Sequence, residues 1–194
     1  MIDIAAQAEF RREPFDHTLA KEALPGDLAD GALEWMEQDA SWKLRLASFY
    51  EQWEIHLDAD VLPPHLRSLC AQSTVERLAQ TMLAPLTPVP LQLTEITAHK
   101  LVQGQTIRIH NDLLDGREAY RLLVQLNRGW RDEQGGLLMI FASSSADDLS
   151  RVIRPVHGSA FAFAITHRSF HAVSSVRSGE RYTLVFSFRE LAES

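Results

Sequence analysis

In the first half of the chain apolar residues recur at helical spacing, and in the second half they alternate. Leu28, Ala32, Leu33, Trp35 and Met36 mark one helix, with Asp27 ahead of them as an N-cap. Ser41 through Leu57 reads as a second helix. A third opens at Pro63-Pro64, where proline suits a first turn, and carries Leu66, Leu69, Cys70, Val75, Leu78 and Met82. Pro85, Pro88 and Pro90 then close the helical part.

Beyond residue 90 the period drops toward two. Eight short runs read as strands: Leu91–Leu101, Thr106–Asp112, Tyr120–Leu126, Leu137–Phe141, Arg151–Pro155, Ala160–Ile165, Phe170–Val176 and Tyr182–Phe188, with glycines between or beside them. That many short strands in so little chain point to a jelly roll. The expected fold is therefore α+β. Residues 90–190 form the core, residues 1–89 form mainly helical support on its outer face, and 1–194 make one domain.

Composition narrows the function classes. A net charge of −7 argues against a nucleic-acid or anionic-membrane role, since both reward positive surface. Cys70 is the only cysteine, so no intrachain disulfide can form, which suits a reducing cytoplasm, and its bland reading is a buried thiol. No stretch approaches the length of a membrane span, and residues 1–10 lack the basic and apolar regions of a signal peptide.

Candidate chemistry begins at His110-Asn111-Asp112. On a strand, residues two apart share a side, so His110 and Asp112 face one cavity while Asn111 faces away. Such a pair is common by chance and needs a third ligand. His171 is the candidate, and the set then matches the two-histidine, one-carboxylate arrangement of non-haem Fe(II), which leaves positions open for a 2-oxo acid and O₂. Arg181 follows ten residues later, across a Ser178-Gly179 turn. A planar guanidinium there offers the counter-charge for a dicarboxylic co-substrate, although it could also cap a surface hairpin. For His171 and Arg181 to face one cavity across a hairpin, the loop must have odd length or a bulge must correct it. Of the other histidines, His167 lies close enough to His171 to be mistaken for the ligand, and His17, His99 and His157 have no partner at ligand spacing.

Five ordered stretches carry a resemblance: His110-Asn-Asp112, Leu126-Asn127-Arg-Gly-Trp130, Gly135-Gly136 through Phe141, Pro155-Val-His-Gly-Ser-Ala-Phe-Ala-Phe163, and His167 through Tyr182. Residues 96–188 resemble the prolyl hydroxylase branch of the 2-oxoglutarate/Fe(II) dioxygenases. The resemblance implies a double-stranded β-helix, His110, Asp112 and His171 as catalytic iron ligands, and Arg181 as the anchor of 2-oxoglutarate. It implies Fe(II), 2-oxoglutarate and O₂ as cofactors and co-substrates, with ascorbate as an optional auxiliary. It also implies a polar residue before Leu126-Asn127 that helps hold 2-oxoglutarate. Relatives often carry tyrosine there, whereas this chain has Gln125. Leu101 likewise stands near where relatives have a tyrosine, which bears on substrate more than on chemistry. Thr183 shares strand parity with Arg181 and adds a hydroxyl to the same carboxylate. Trp130 reads as packing at the mouth of the roll.

The expected reaction is hydroxylation of a C–H bond in a peptide or protein residue, or in a small amino-acid-like molecule, with 2-oxoglutarate leaving as succinate and CO₂. Desaturation or cyclisation of a peptide natural product uses the same residues. A catalytically silent jelly-roll binding module is the alternative of another class.

Overall fold

The computed structural model describes residues 8–113 and 119–191. Along them run β1 (Glu9–Arg11), β2 (His17–Ala20), α1 (Gly26–Gln38), β3 (Lys43–Leu46), β4 (Glu51–His56), a 3-10 helix over Pro64–Cys70, α2 (Gln72–Met82), β5 (Leu91–Leu101), β6 (Ile107–His110), β7 (Tyr120–Gln125), β8 (Leu138–Phe141), β9 (Leu149–Ile153), β10 (Ala160–Ala164), β11 (His171–Val173) and β12 (Arg181–Glu190). They build one sheet in the order β1-β2-β10-β7-β12-β5-β4-β3 and a second in the order β6-β11-β8-β9. The eight strands expected after residue 90 all occur, with ends that differ by a few residues, and the arrangement is a jelly-roll core.

Alternation along the central strands separates two environments. Leu122 and Val124 of β7, Leu184 and Phe186 of β12 and Ile96 and Ala98 of β5 share one core with α1, the 3-10 helix and α2. Their neighbours Gln125, Arg181, Thr183, Thr97 and His99 turn to the other face and line a cavity or meet there. In β10 the pattern is sharper. Ala160 and Ala162 leave room for the helical layer, while Phe161 and Phe163 fill the space toward the second sheet with Leu138 and Ile140.

The N-terminal half departs from its expected helical reading. Residues 41–57 form the β3–β4 hairpin, paired Lys43↔Glu54 through Leu46↔Glu51, and β4 joins β5, so the hairpin extends the large sheet. Trp42, Leu46, Phe49, Trp53 and Leu57 fall at helical spacing, but Trp42, Leu44 and Leu46 and then Trp53, Ile55 and Leu57 alternate within each arm. Adding a strand to an existing edge satisfies a whole row of backbone groups. A further pair, β1 and β2, continues the opposite edge through β10.

The expected third helix is two pieces. Leu66 and Leu69 are buried in the first, and Val75, Leu78 and Met82 in the second. In a continuous helix turning about 100° per residue those two sets would lie on opposite faces. Ala71, extended at ψ 136°, breaks the run so that both sets face the core. Cys70 is half-buried there, and burial pushes its thiol pKa up. Asp27 is not the cap of α1. Pro25 holds that position, and Asp27 sits in the first turn, where a negative charge favours the helix dipole. Among the described residues no helix is long and apolar enough to cross a membrane.

Candidate metal centre and co-substrate pocket

β6 and β11 are antiparallel neighbours with His110 directly opposite His171, and the two ring centroids lie 4.2 Å apart. Each Nδ1 sits 2.8 Å from a carbonyl two residues upstream, Arg108 O for His110 and Ser169 O for His171. A carbonyl only accepts, so both Nδ1 atoms carry the proton, and both Nε2 atoms present lone pairs.

Asp112 completes the group by a route that strand alternation does not describe. β6 ends at His110, and Asp112 adopts φ +60°, a left-handed conformation that aspartate tolerates better than most residues. Its Oδ1 lies 3.3 Å from His110 Nε2 and its Oδ2 3.3 Å from His171 Nε2. One ligand atom from each residue falls within 4.8 Å of the others. Three lone-pair donors thus converge with no proton to share among them, and a cation between them resolves that crowding. Arg121 reaches Asp112 Oδ1 at 3.2 Å. Burial acts to raise the Asp112 carboxyl pKa, but the two imidazoles and the Arg121 charge outweigh it and hold the group well below the carboxylate range. Burial, reinforced by His171, lowers the pKa of His110.

Arg181 lies on the large sheet, 4 % exposed. Its Nη1 donates to Thr183 Oγ1 at 2.8 Å, and that hydroxyl donates to Gln125 Oε1 at 3.0 Å on the paired strand. Among the described residues no carboxylate pairs with Arg181, its Nε has no partner, and burial lowers its pKa to about 10. An uncompensated buried guanidinium destabilises a fold unless something anionic completes it. The Leu126-Asn127 stretch fixes its position. Asn127 Oδ1 accepts from Tyr182 N at 2.7 Å, and its amide donates to the carbonyls of Tyr182 and Pro155.

His110, Asp112, His171, Arg181 and Thr183 line one cavity of about 850 Å³ between the sheets, and Gln125 is joined to that group through Thr183. The expected hairpin from His171 to Arg181 does not exist. β11 and β12 belong to different sheets, so the two side chains meet across the roll and loop parity is irrelevant. His167 is not in the cluster. Leu101 is buried on the cavity wall opposite Arg181 in β5. Trp130 is a packing residue, with Nε1 donating to Gly135 O at 2.9 Å and its ring against Gly136 and Gly179.

Sequence reasoning missed several wall residues. Arg121 shares parity with Gln125 on β7, and His99 shares parity with Leu101 on β5, so alternation could have flagged both. Phe49 stacks on the His110 ring at 4.4 Å, and Gln52 and Glu54 stand on β4. All three lie in the segment read as a helix.

Two expected outcomes arise here. Gly136 has φ +62°, and a Cβ on it would stand 3.0 Å from Arg181 Cδ and 3.2 Å from Trp130. Gly136→Ala is expected to cost about 1–2 kcal/mol from backbone handedness alone and to weaken the response to 2-oxoglutarate by displacing Arg181. Thermal unfolding with and without 2-oxoglutarate checks both effects. Stability is also expected to depend on pH. Burial lowers the pKa of His99 to about 3 and lowers that of His17, whose Nε2 is sealed without a partner. The unfolded chain takes up those protons below about pH 6.5 while the folded chain refuses them. Stability is therefore full above 6.5 and falls as pH drops toward 3, by up to about 1.4 kcal/mol per histidine per pH unit. Urea unfolding at pH 7.5, 6 and 5 measures the slope, and a flat profile contradicts it.

A Pseudomonas putida prolyl-4-hydroxylase superposes with a TM-score of 0.70 at 20% identity, covering 90% of this chain and 92% of that one. A Trichoplax adhaerens prolyl hydroxylase, solved with a peptide fragment of the hypoxia-inducible factor oxygen degradation domain, gives 0.68 at 13% identity, covering 90% and 83%. The non-haem α-ketoglutarate-dependent epimerase SnoN from nogalamycin biosynthesis gives 0.65 at 12% identity, covering 90% and 77%. At these identities the likeness is one of fold. No curated protein matches the sequence. Residues 95–189 do match a family model, and on that match they belong to the 2OG-Fe(II) oxygenase superfamily, whose dioxygenases work with Fe(II), 2-oxoglutarate and O₂.

Proposed function

We propose that this chain hydroxylates a C–H bond in an amino-acid residue of a peptide or in a small amino-acid-like molecule. His110, Asp112 and His171 hold the iron, and Arg181 holds the distal carboxylate of 2-oxoglutarate with Thr183 and Gln125 beside it. The single observation that carries this reading is the pairing, within one cavity, of three convergent lone-pair donors with a buried guanidinium that has no carboxylate partner among the described residues. When bound, iron and 2-oxoglutarate supply the oxidation of an unactivated C–H bond by O₂, with succinate and CO₂ released.

The protein's own share is placement and exclusion. The backbone bonds at Nδ1 fix both imidazoles with Nε2 turned to the metal, which is how outer partners orient ligands. Arg121 steadies Asp112 as a carboxylate. Leu123, Leu138, Phe163 and Val185 give the cavity an apolar lining that keeps the reacting region dry. Asp112 supports hydroxylation over halogenation, because it occupies the position a halide would need. The helices share a core with the sheet that carries Arg181, which supports one domain for the whole chain. The single cysteine fits a cytoplasmic setting.

SnoN, named as an epimerase, has this fold under a name other than hydroxylase, which keeps in view a second reading in which the same residues drive desaturation or cyclisation. Anaerobic addition of Fe(II) and then 2-oxoglutarate tests the proposal first, with a visible charge-transfer band expected. Succinate release is then screened over amino acids and peptides, and product mass separates a gain of one oxygen from a loss of two hydrogens. If neither band nor succinate is seen, a silent binding module is the correct description.

A further inference from the structure

Two strands from Arg181 on the large sheet, the cavity wall carries a set of groups that the chemistry above does not use. Gln52 on β4 is 2 % exposed. Its amide nitrogen donates to Glu54 Oε1 at 2.6 Å and lies 3.2 Å from His99 Nδ1. These contacts fix the amide, since a flipped Gln52 would set its oxygen against a carboxylate. His99 Nδ1 then accepts, so its proton sits on Nε2, which lies 3.0 Å from Thr97 Oγ1. The low pKa of His99, about 3, agrees with a neutral ring.

What remains is a pair of acceptors. Gln52 Oε1 is buried and has no hydrogen-bond partner. Glu54 is a carboxylate with only 23 % of its side chain exposed. Among the described residues its one full cation, Arg45, approaches no closer than 3.9 Å from a side chain that is 69 % exposed, a weak and screened contact. The 4.0 Å approach of His99 adds no charge while that ring is neutral. A neutral amide N–H would satisfy Gln52 but bring no charge to Glu54, whose close partners, the Gln52 amide and the Tyr50 hydroxyl, are themselves neutral donors. An ammonium satisfies both, because it donates in several directions and carries the opposite charge.

We infer that the substrate is an amine, whose protonated nitrogen sits between Gln52 Oε1 and the Glu54 carboxylate. Its oxidisable carbon reaches the iron site from there. Gln52 and Glu54 are specificity-determining residues, and His99 is a positioning residue that holds the Gln52 amide in register. This inference rests on reading the cavity as an oxygenase site.

The test uses the full chain with Fe(II), 2-oxoglutarate and O₂. Succinate release is measured over a panel of free L-amino acids and short peptides, each beside a form whose amines are acetylated. At least one free amine is expected to outpace its acetylated form by about tenfold or more, the scale set by removing one partner of a desolvated charge pair. Glu54→Gln keeps the size of the side chain and removes the charge. It is expected to raise the KM for that amine by about tenfold or more, with little change in the KM for 2-oxoglutarate. Gln52→Leu is expected to shift the same KM. The inference is overturned if no free amine outperforms its acetylated form, or if Glu54→Gln leaves the preference intact. A charge-transfer band without amine preference removes the amine seat alone. Absence of both band and succinate removes the oxygenase reading with it.

Discussion

Asp112→Ala is expected to abolish succinate release, to below about one-thousandth of the parent rate, the scale on which removing one member of a catalytic unit falls. Asp112 supplies the only anionic donor of the cluster, and two neutral imidazoles cannot hold a divalent ion in the geometry that leaves positions open for a keto acid. The substitution also carries a backbone penalty of about 1–2 kcal/mol, because alanine does not tolerate φ +60° as aspartate does. Asp112→Asn separates the two effects. Asparagine accepts the left-handed backbone and keeps the shape but lacks the charge, so activity should be lost with little loss of stability. Metal content and succinate release measured on both variants decide it. Unchanged turnover in either would falsify the metal assignment.

Arg181→Leu is expected to act in opposite directions on stability and on co-substrate binding. The buried guanidinium has one hydrogen-bond partner, Thr183, and no carboxylate partner among the described residues, so it burdens the protein in the absence of 2-oxoglutarate. Replacing it with an apolar side chain of smaller volume relieves that burden, and the unfolding midpoint should rise by about 2–4 °C for each kcal/mol recovered. With 2-oxoglutarate present the order reverses. A desolvated charge pair broken at one partner loses about 2–5 kcal/mol, or roughly 30-fold to several thousand-fold in affinity. The parent should therefore gain thermal stability from 2-oxoglutarate in the presence of Mn(II), and the variant should not. If both gain equally, the carboxylate is held elsewhere.

The same residues show what the amino-acid sequence makes legible. The strands β5, β7, β10 and β12 are readable because they bury one face against the helices and turn the other inward, so alternation survives in the residue order. The His110–Asp112–His171 cluster and Arg181 are readable because the proposed chemistry needs a particular functional group at each, and few substitutes exist. The β3–β4 hairpin is not readable by periodicity over its full length. Its two arms alternate separately, and their sum mimics a helix until the edge of the large sheet is there to receive β4. The break at Ala71 has no proline or glycine to announce it. It follows from the phase of the buried residues on either side. Asp112 reaches the cluster through a left-handed residue beyond the end of β6, so the expected convergence is present but its expected cause is not. A hairpin is expected to set Arg181 beside His171, whereas sheet assignment, a long-range property, sets the two across the roll.

The β3–β4 hairpin also touches the second sheet. Its turn lays the Phe49 ring flat on the imidazole of His110, and Arg108 N donates to Phe49 O at 2.9 Å, which ties the turn to the strand bearing that imidazole. A molecule wedged under β4 would therefore press, through one aromatic plate, on an imidazole proposed to hold the metal. The colour of the loaded centre becomes a gauge of what occupies the far wall, readable before any product has formed.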